Sequence, residues 1–193
     1  MSAPHSIWLM PLPGDEATLQ RIVEDLAGRF AGPLFRPHLT LMEEQEHEVA
    51  DLASACRTVA AGTEQFSAPI QDVGTSDHYF RSLYARFQAE GTLLDLRRGV
   101  VKALSIEAAG SFMPHISLFY GGAPDVEKEQ ARAALGLDLA GALICFDRIC
   151  VVASAKTIPV ADWAVKFTAM LRPVPERHHT SGRFASGNTQ DRT

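Results

Sequence analysis

The chain has 193 residues, with 18 Lys and Arg against 23 Asp and Glu, which gives a formal net charge of −5. Hydrophobic residues make up 46% and charged residues 21%, both close to globular averages, so collagen-like, coiled-coil and largely disordered classes are excluded. An acidic chain is a poor candidate for wrapping long nucleic acid, so we expect no such partner, whereas a small anionic substrate held by a few local groups is compatible with this charge.

Hydrophobic periodicity predicts strands and helices that follow one another along the whole body of the chain. The predicted helices cover residues 15–30, 46–61, 91–104 and 126–135. The predicted strands cover residues 6–11, the PHLTLME run, 66–75, 82–88, the SFMPHISLFYGG run, 143–153 and 163–171. Mixed elements of this kind indicate an α+β fold with largely antiparallel pairing. A weak internal repeat accompanies it, because PHLTL in the first half is echoed by PHISL in the second.

The last part of the chain differs in composition from the rest. Residues 173–193 are rich in Pro, Ser, Thr, Gly and charged residues, and we predict a domain over 1–172 followed by a disordered C-terminal tail over 173–193. The first residues lack a basic segment before their short apolar run, and no apolar stretch reaches 18 residues, so we expect neither a signal peptide nor a membrane association. Three cysteines, an odd number, indicate reduced thiols and a cytoplasmic location.

The motif that carries chemistry is a Pro-His-apolar-hydroxyl-apolar pattern that occurs twice, at residues 37–41 and 114–118. In a strand, residues i and i+2 share one face. The histidine and the hydroxyl of each motif therefore point to one side, and the apolar residues point into the core. If the two strands lie close together, two imidazoles and two hydroxyls line a single cleft.

Such a cleft suits hydrolysis of a phosphodiester. Two histidines can act as general base and general acid near neutral pH, and two hydroxyls can donate hydrogen bonds to anionic oxygens. The candidate catalytic residues are His38, Thr40, His115 and Ser117. Two alternatives stay open: a metal site, although neither motif contains an Asp, Glu or Cys ligand, and two buried structural histidines bonded to backbone carbonyls. We predict no metal and no cofactor.

Four segments together resemble the 2H phosphoesterases, which are named for two H-x-[ST]-x motifs, and within them the cyclic phosphodiesterases of the plant and yeast type. The segments are SIWLMP, FRPHLTL, YFRSLY and PHISLFYG, and the likeness covers roughly residues 6–171. The resemblance implies a bilobal fold, in which two pseudo-symmetric lobes of antiparallel sheet plus helices surround a central groove. It also implies that the four motif residues lie in that groove and act without a metal.

The activity implied by this resemblance is the opening of small cyclic phosphates by a hydrolase acting on phosphoric diester bonds. Nucleoside 2′,3′-cyclic phosphates would give 2′-phosphates, and ADP-ribose 1″,2″-cyclic phosphate would give ADP-ribose 1″-phosphate. In similar enzymes the second-motif histidine, here His115, is the base toward water, and the first, here His38, is the acid. Two alternatives are an RNA-end 2′,3′-cyclic phosphodiesterase with ligase-like activity, in tRNA processing, and a non-catalytic nucleotide-binding module. We expect a monomer whose partner is a cyclic nucleotide or ADP-ribose cyclic phosphate.

Aromatic residues are the candidate substrate-binding positions. By resemblance, Trp8, Phe80 and Tyr120 meet the nucleoside or the phosphate, although core packing explains Trp8 and Tyr120 equally well. Strict strand alternation puts Phe119 rather than Tyr120 on the catalytic face, so a contact from Tyr120 requires a bend or bulge near Gly121.

Two further residues lie in a predicted loop between strands. His78 and Arg81 are candidate phosphate or base contacts, but their position favours a surface-loop role. Trp163 begins the last predicted strand, and we expect it in the core.

Overall fold

The structure is a computed structural model, and it describes residues 4–107 and 110–174. The predicted C-terminal tail from residue 175 onward lies outside the described residues. The helices of the described part are α1 (Pro13–Phe30), α2 (Val49–Gly62), α3 (Gly91–Leu104) and α4 (Asp125–Leu139). Its strands are β1 (His5–Pro11), β2 (Leu39–Gln45), β3 (Phe66–Pro69), β4 (Asp72–Thr75), β5 (Leu83–Arg86), β6 (His115–Phe119), β7 (Leu143–Ala153) and β8 (Ala164–Met170).

All eight strands belong to one antiparallel sheet with the order β3-β7-β1-β2-β6-β5-β4, and β8 pairs with β7. The predicted strand over 66–75 is in fact two strands, because Pro69 ends the pairing with β7 and Asp72 begins the pairing with β5. The three steps from Pro69 to Asp72 span at most about 11 Å. In a flat sheet the two outer strands would lie about 29 Å apart, since neighbouring strands are separated by about 4.8 Å. The sheet is therefore curled, with its first and last strands brought together.

The two halves of the sheet repeat the same unit. β1-α1-β2 and β5-α3-β6 are both strand-helix-strand units whose strands pair with each other in antiparallel fashion. They meet at the pairing of Leu39 in β2 with Ile116 in β6. The predicted α+β fold with two pseudo-symmetric lobes around a groove is confirmed, and a single sheet runs through both lobes.

Alternation along the central strands separates the core from the opposite face of the sheet. Leu39, Leu41, Ile116 and Leu118 are fully buried in the main hydrophobic core, where they pack with the apolar faces of the helices. On the other face, Trp8 begins a separate small cluster. Among the described residues no helix combines the length and the apolar character that crossing a bilayer requires.

Candidate functional site

A groove of about 520 Å³ lies over the line where the two halves of the sheet meet. Its lining includes all seven residues that the sequence assigns to catalysis or substrate binding. These are His38, Thr40, His115, Ser117, Trp8, Phe80 and Tyr120.

The register between β2 and β6 determines how the two motifs face each other. Because Leu39 pairs with Ile116 in antiparallel fashion, His38 lies across from Ser117 and Thr40 lies across from His115. Each imidazole thus faces the hydroxyl residue of the other motif. Side chains directly opposite on one face have Cβ atoms about 4.5–5.5 Å apart, so a single phosphate group can contact both motifs.

Both histidines are held in the same way by their own motif. Nδ1 of His38 lies 2.7 Å from the carbonyl oxygen of Arg36, and Nδ1 of His115 lies 2.9 Å from that of Met113. A carbonyl oxygen only accepts hydrogen bonds, so Nδ1 is the donor in both rings. The neutral imidazoles therefore leave Nε2 without a proton, as a nitrogen that can accept one.

An aromatic side chain from the neighbouring strand packs on each imidazole. The Trp8 ring stacks on His38, with centroids 3.5 Å apart and an interplanar angle of 8°. The Tyr84 ring meets His115 edge-on at 5.5 Å. Trp8 and Tyr84 occupy equivalent places in the two halves, because each pairs with the hydroxyl residue of the adjacent motif.

Tyr84 is a site residue that the sequence reasoning missed. Its ring lies over Gly74 of β4, where an added Cβ would come within 2.6 Å of the ring. The internal repeat of the sequence contains a signal for it. Tyr84 pairs with the hydroxyl residue of PHISL, and Trp8 pairs with the hydroxyl residue of PHLTL. That equivalence becomes visible only once the register is known.

The electrostatics of the groove favour neutral imidazoles when no ligand is bound. Burial lowers the pKa of His38 to about 3. Burial also lowers the pKa of His115, the nearby charge of Arg81 lowers it further, and Glu43 acts in the opposite direction. The burial effect on both rings follows from the loss of hydration of a charged imidazole.

The two motif hydroxyls differ in their contacts. The Ser117 hydroxyl donates a hydrogen bond to the carbonyl oxygen of Phe80 at 2.9 Å. The Thr40 hydroxyl has no hydrogen-bond partner among the described residues. Burial raises the pKa of Tyr120, and an interaction with Ser117 partly offsets this rise. The symmetry of the two motifs in sequence thus does not extend to their hydroxyls.

Strict alternation along β6, which would place Phe119 rather than Tyr120 on the catalytic face, does not hold in the structure. The pairing of β6 with β5 shifts between Ser117 and Phe119, so β6 contains one additional residue at this point. The bulge turns Phe119 into the main core and leaves Tyr120 lining the groove. The irregularity expected near Gly121 exists, but it lies at residues 117–119.

Trp163 corrects a second expectation. It precedes β8 and lines the groove instead of beginning a strand in the main core. Its ring lies 5.6 Å from that of Trp8, 5.9 Å from that of Phe80 and 6.0 Å from that of Tyr120. These four rings form an aromatic wall beside the motif residues, which suits a nucleobase or another flat group.

The lining of the groove also includes the titratable side chains of Glu43, Glu44, His78, Arg81 and Lys156. His78 and Arg81, for which the sequence favours a surface-loop role, thus line the groove. Within 4–107 and 110–174 no three His, Cys, Asp or Glu side chains are grouped so that they could hold a metal ion.

A family of known proteins shares this combination of fold and motifs. The curled antiparallel sheet and its two histidine motifs define a 2H phosphoesterase. The model of the family described as "Cyclic phosphodiesterase-like protein" matches residues 1–140, and the chain belongs to this family. It is a phosphodiesterase hydrolase.

Individual relatives agree in sequence and in fold. The chain is 22% identical over 128 residues to the "Cyclic phosphodiesterase" of Arabidopsis thaliana. The aligned region covers 66% of this chain and 71% of the relative. Among solved structures, a protein of Thermus thermophilus named TT0787 has a TM-score of 0.58 and 20% identity. LigT of E. coli complexed with 3′-AMP has a TM-score of 0.57 and 12% identity. In both comparisons the superposed region covers 88% of this chain and 98% of the solved chain. This likeness is one of fold.

Proposed function

We propose that the protein opens small cyclic phosphodiesters by two-histidine acid–base catalysis without a metal. Its substrates are nucleoside 2′,3′-cyclic phosphates, which give 2′-phosphates, and ADP-ribose 1″,2″-cyclic phosphate, which gives the 1″-phosphate. The observation that carries the proposal is the antiparallel pairing of Leu39 with Ile116, which places His38 across from Ser117 and Thr40 across from His115. It gives one phosphate a proton acceptor, a proton donor and hydroxyl groups at once.

In the reaction, Nε2 of neutral His115 takes a proton from a water molecule while the water oxygen forms a bond to phosphorus. The bond between phosphorus and the 3′-oxygen breaks, and Nε2 of protonated His38 gives its proton to that oxygen. The product is a 2′-phosphate, and proton exchange with solvent restores both histidines. The assignment of His115 as the base and His38 as the acid follows the similar enzymes. The near-twofold arrangement of the two motifs would by itself allow either ribose oxygen to leave.

Substrate binding supplies the charge that His38 needs to act as an acid. A phosphate anion about 4 Å from the ring stabilises the imidazolium by about 4 kcal/mol at an effective dielectric constant of 20. The pKa of His38, which is about 3 in the free groove, therefore rises when the anion binds. The free groove holds both rings neutral, and the bound anion itself permits protonation of the acid.

Small nucleotides are the substrate class that the groove favours. Its volume of about 520 Å³ and its aromatic wall suit one nucleoside with its phosphate. Two glutamates line it beside its cations, and the chain as a whole carries −5, which does not favour a long RNA. LigT, which shares the fold, has been crystallised with 3′-AMP, ATP and NADP+.

The test is a hydrolysis assay in EDTA with the four nucleoside 2′,3′-cyclic phosphates and ADP-ribose 1″,2″-cyclic phosphate. We expect His38→Ala and His115→Ala each to lower kcat/KM by about 10²–10⁴-fold, the usual contribution of a general acid or base. His47→Ala, which removes a histidine outside the groove, is the matched control and should keep full activity. Nucleotide binding without turnover by the wild type would instead identify a non-catalytic binding module.

A substrate with sulfur in place of the 3′-bridging oxygen tests the direction of proton transfer. A thiolate leaves without a proton, so loss of the general acid matters little for this substrate. We expect it to restore turnover in His38→Ala and not in His115→Ala. Restoration in His115→Ala alone would reverse the two assignments.

A further inference from the structure

The short 3₁₀ turn Tyr79–Arg81 carries an arginine that the proposed mechanism does not use. Arg81 lines the groove, and its Nε is buried without a hydrogen-bond partner among the described residues. Arg148 and Arg86, whose exposure is also intermediate, are paired with Glu16 and Asp72, respectively. No carboxylate of the described residues lies within ion-pair distance of Arg81, which leaves a permanent cation facing the groove.

Three hydrogen bonds fix this turn, two from the end of β6 and one from the residue that follows β4. The Ser117 hydroxyl donates to the carbonyl oxygen of Phe80 at 2.9 Å, and the backbone N–H of Gly121 donates to that of Tyr79 at 3.0 Å. The Ser76 hydroxyl donates to the carbonyl oxygen of Arg81 at 2.5 Å. The turn is therefore held in place from both of its ends and from its middle.

The guanidinium lies on the His115 side of the groove. Its carbon is 5.7 Å from the centroid of the Tyr84 ring, which in turn meets His115 at 5.5 Å. Arg81 is also close enough to lower the pKa of His115 by its charge. A phosphate that contacts Nε2 of His115 would thus have this guanidinium as a neighbour.

The second motif has few other free donors for such a phosphate. The single proton of Ser117 is already engaged with Phe80, so donation to a phosphate would require loss of that hydrogen bond. Arg81 has an N–H without an acceptor and a full positive charge, and guanidinium groups bind phosphate oxygens in a bidentate manner. The two residues differ in role, because one fixes the turn and the other is free to bind.

We propose that Arg81 binds the phosphate group of the substrate on the His115 side of the groove, and that Ser117 positions it by anchoring the turn. This inference rests on the proposed function of the groove. It assigns the charged contact of the second motif to a residue outside that motif, 36 positions before Ser117 in the sequence.

The experiment compares the full chain with Arg81→Gln and Arg81→Lys by calorimetric titration with inorganic phosphate, adenosine 2′-phosphate and adenosine. Arg81→Gln should weaken binding of the two phosphate-bearing ligands by about 10- to 100-fold, the range for a hydrogen bond to a charged group, and leave adenosine unchanged. Arg81→Lys should fall between the two. Lys102→Gln, which removes the same charge from an exposed position on α3, is the matched control and should behave as the wild type.

Two outcomes would overturn the assignment. One is wild-type affinity of Arg81→Gln for inorganic phosphate. Another is an equal loss of adenosine and adenosine 2′-phosphate, as a collapsed turn would cause. These results are separable from the proposed function. A wild type that fails to hydrolyse any cyclic phosphate can still show the Arg81-dependent phosphate affinity. A wild type that hydrolyses cyclic phosphates can equally lack that dependence.

Discussion

The burial of His38 makes the stability of the protein depend on pH in a specific range. The folded chain holds this ring neutral with a pKa of about 3, whereas the unfolded chain protonates it below 6.5. The stability that comes from a neutral His38 is therefore complete above pH 6.5 and is lost as the pH falls from 6.5 toward 3. Between pH 7 and pH 5 the wild type should lose about 2 kcal/mol of unfolding free energy through this one group.

The variant His38→Asn removes the titration and keeps an amide that can donate to the Arg36 carbonyl. Urea unfolding at pH 7, 6 and 5, followed by far-UV circular dichroism, gives the stability of both proteins. Contributions from all other groups cancel in the difference, so the advantage of the wild type over His38→Asn should shrink by about 2 kcal/mol over this range. The control is His78→Asn, which replaces an exposed histidine and should follow the wild type. Parallel pH dependences of wild type and His38→Asn, or an NMR titration of His38 near 6.5, would refute the reasoning.

Two glycine substitutions test the packing that supports the site. Gly74→Ala would place its Cβ 2.6 Å from the Tyr84 ring and shift that ring from the second-motif imidazole, so we expect kcat/KM to fall by about 10- to 100-fold in steady-state assays while the fold is retained. Unchanged kinetics would mean that the ring does not position the imidazole. Gly32→Ala would place its Cβ in steric conflict with the Phe119 ring, and we expect a loss of about 1–3 kcal/mol in urea unfolding. Gly28→Ala in α1, where no atom lies within 4 Å, should instead be neutral or stabilising, and an equal loss in both variants would contradict the steric explanation.

Local sequence patterns predict the parts of the site that depend on one strand alone. The alternation in PHLTL and PHISL predicts which side chains are buried and which line the groove, and helix α3 has the bounds that its periodicity predicts. These features depend on side-chain periods within a few residues. They need no knowledge of the partner strand.

Features that depend on how strands pair with one another could not be predicted from local sequence patterns. The bulge at residues 117–119 reverses the alternation that placed Phe119 in the groove, and it arises from the register with β5. The aromatic wall requires Trp163, which precedes β8 and lies near Trp8 of β1 because β7 pairs with both strands. The free guanidinium of Arg81 is equally invisible in sequence, since its lack of a carboxylate partner among the described residues is a property of the folded chain.

The central claim is that two histidines in this groove hydrolyse a cyclic phosphodiester. The most direct measurement is the ³¹P NMR spectrum of adenosine 2′,3′-cyclic phosphate incubated with the EDTA-treated full chain in ¹⁸O-labelled water. The account predicts that the signal of the cyclic diester is replaced by that of a 2′-monoester carrying one ¹⁸O on phosphorus, and that the double variant His38→Ala/His115→Ala leaves the cyclic signal intact. A cyclic signal that persists with the wild type, or equal turnover by the double variant, would contradict it.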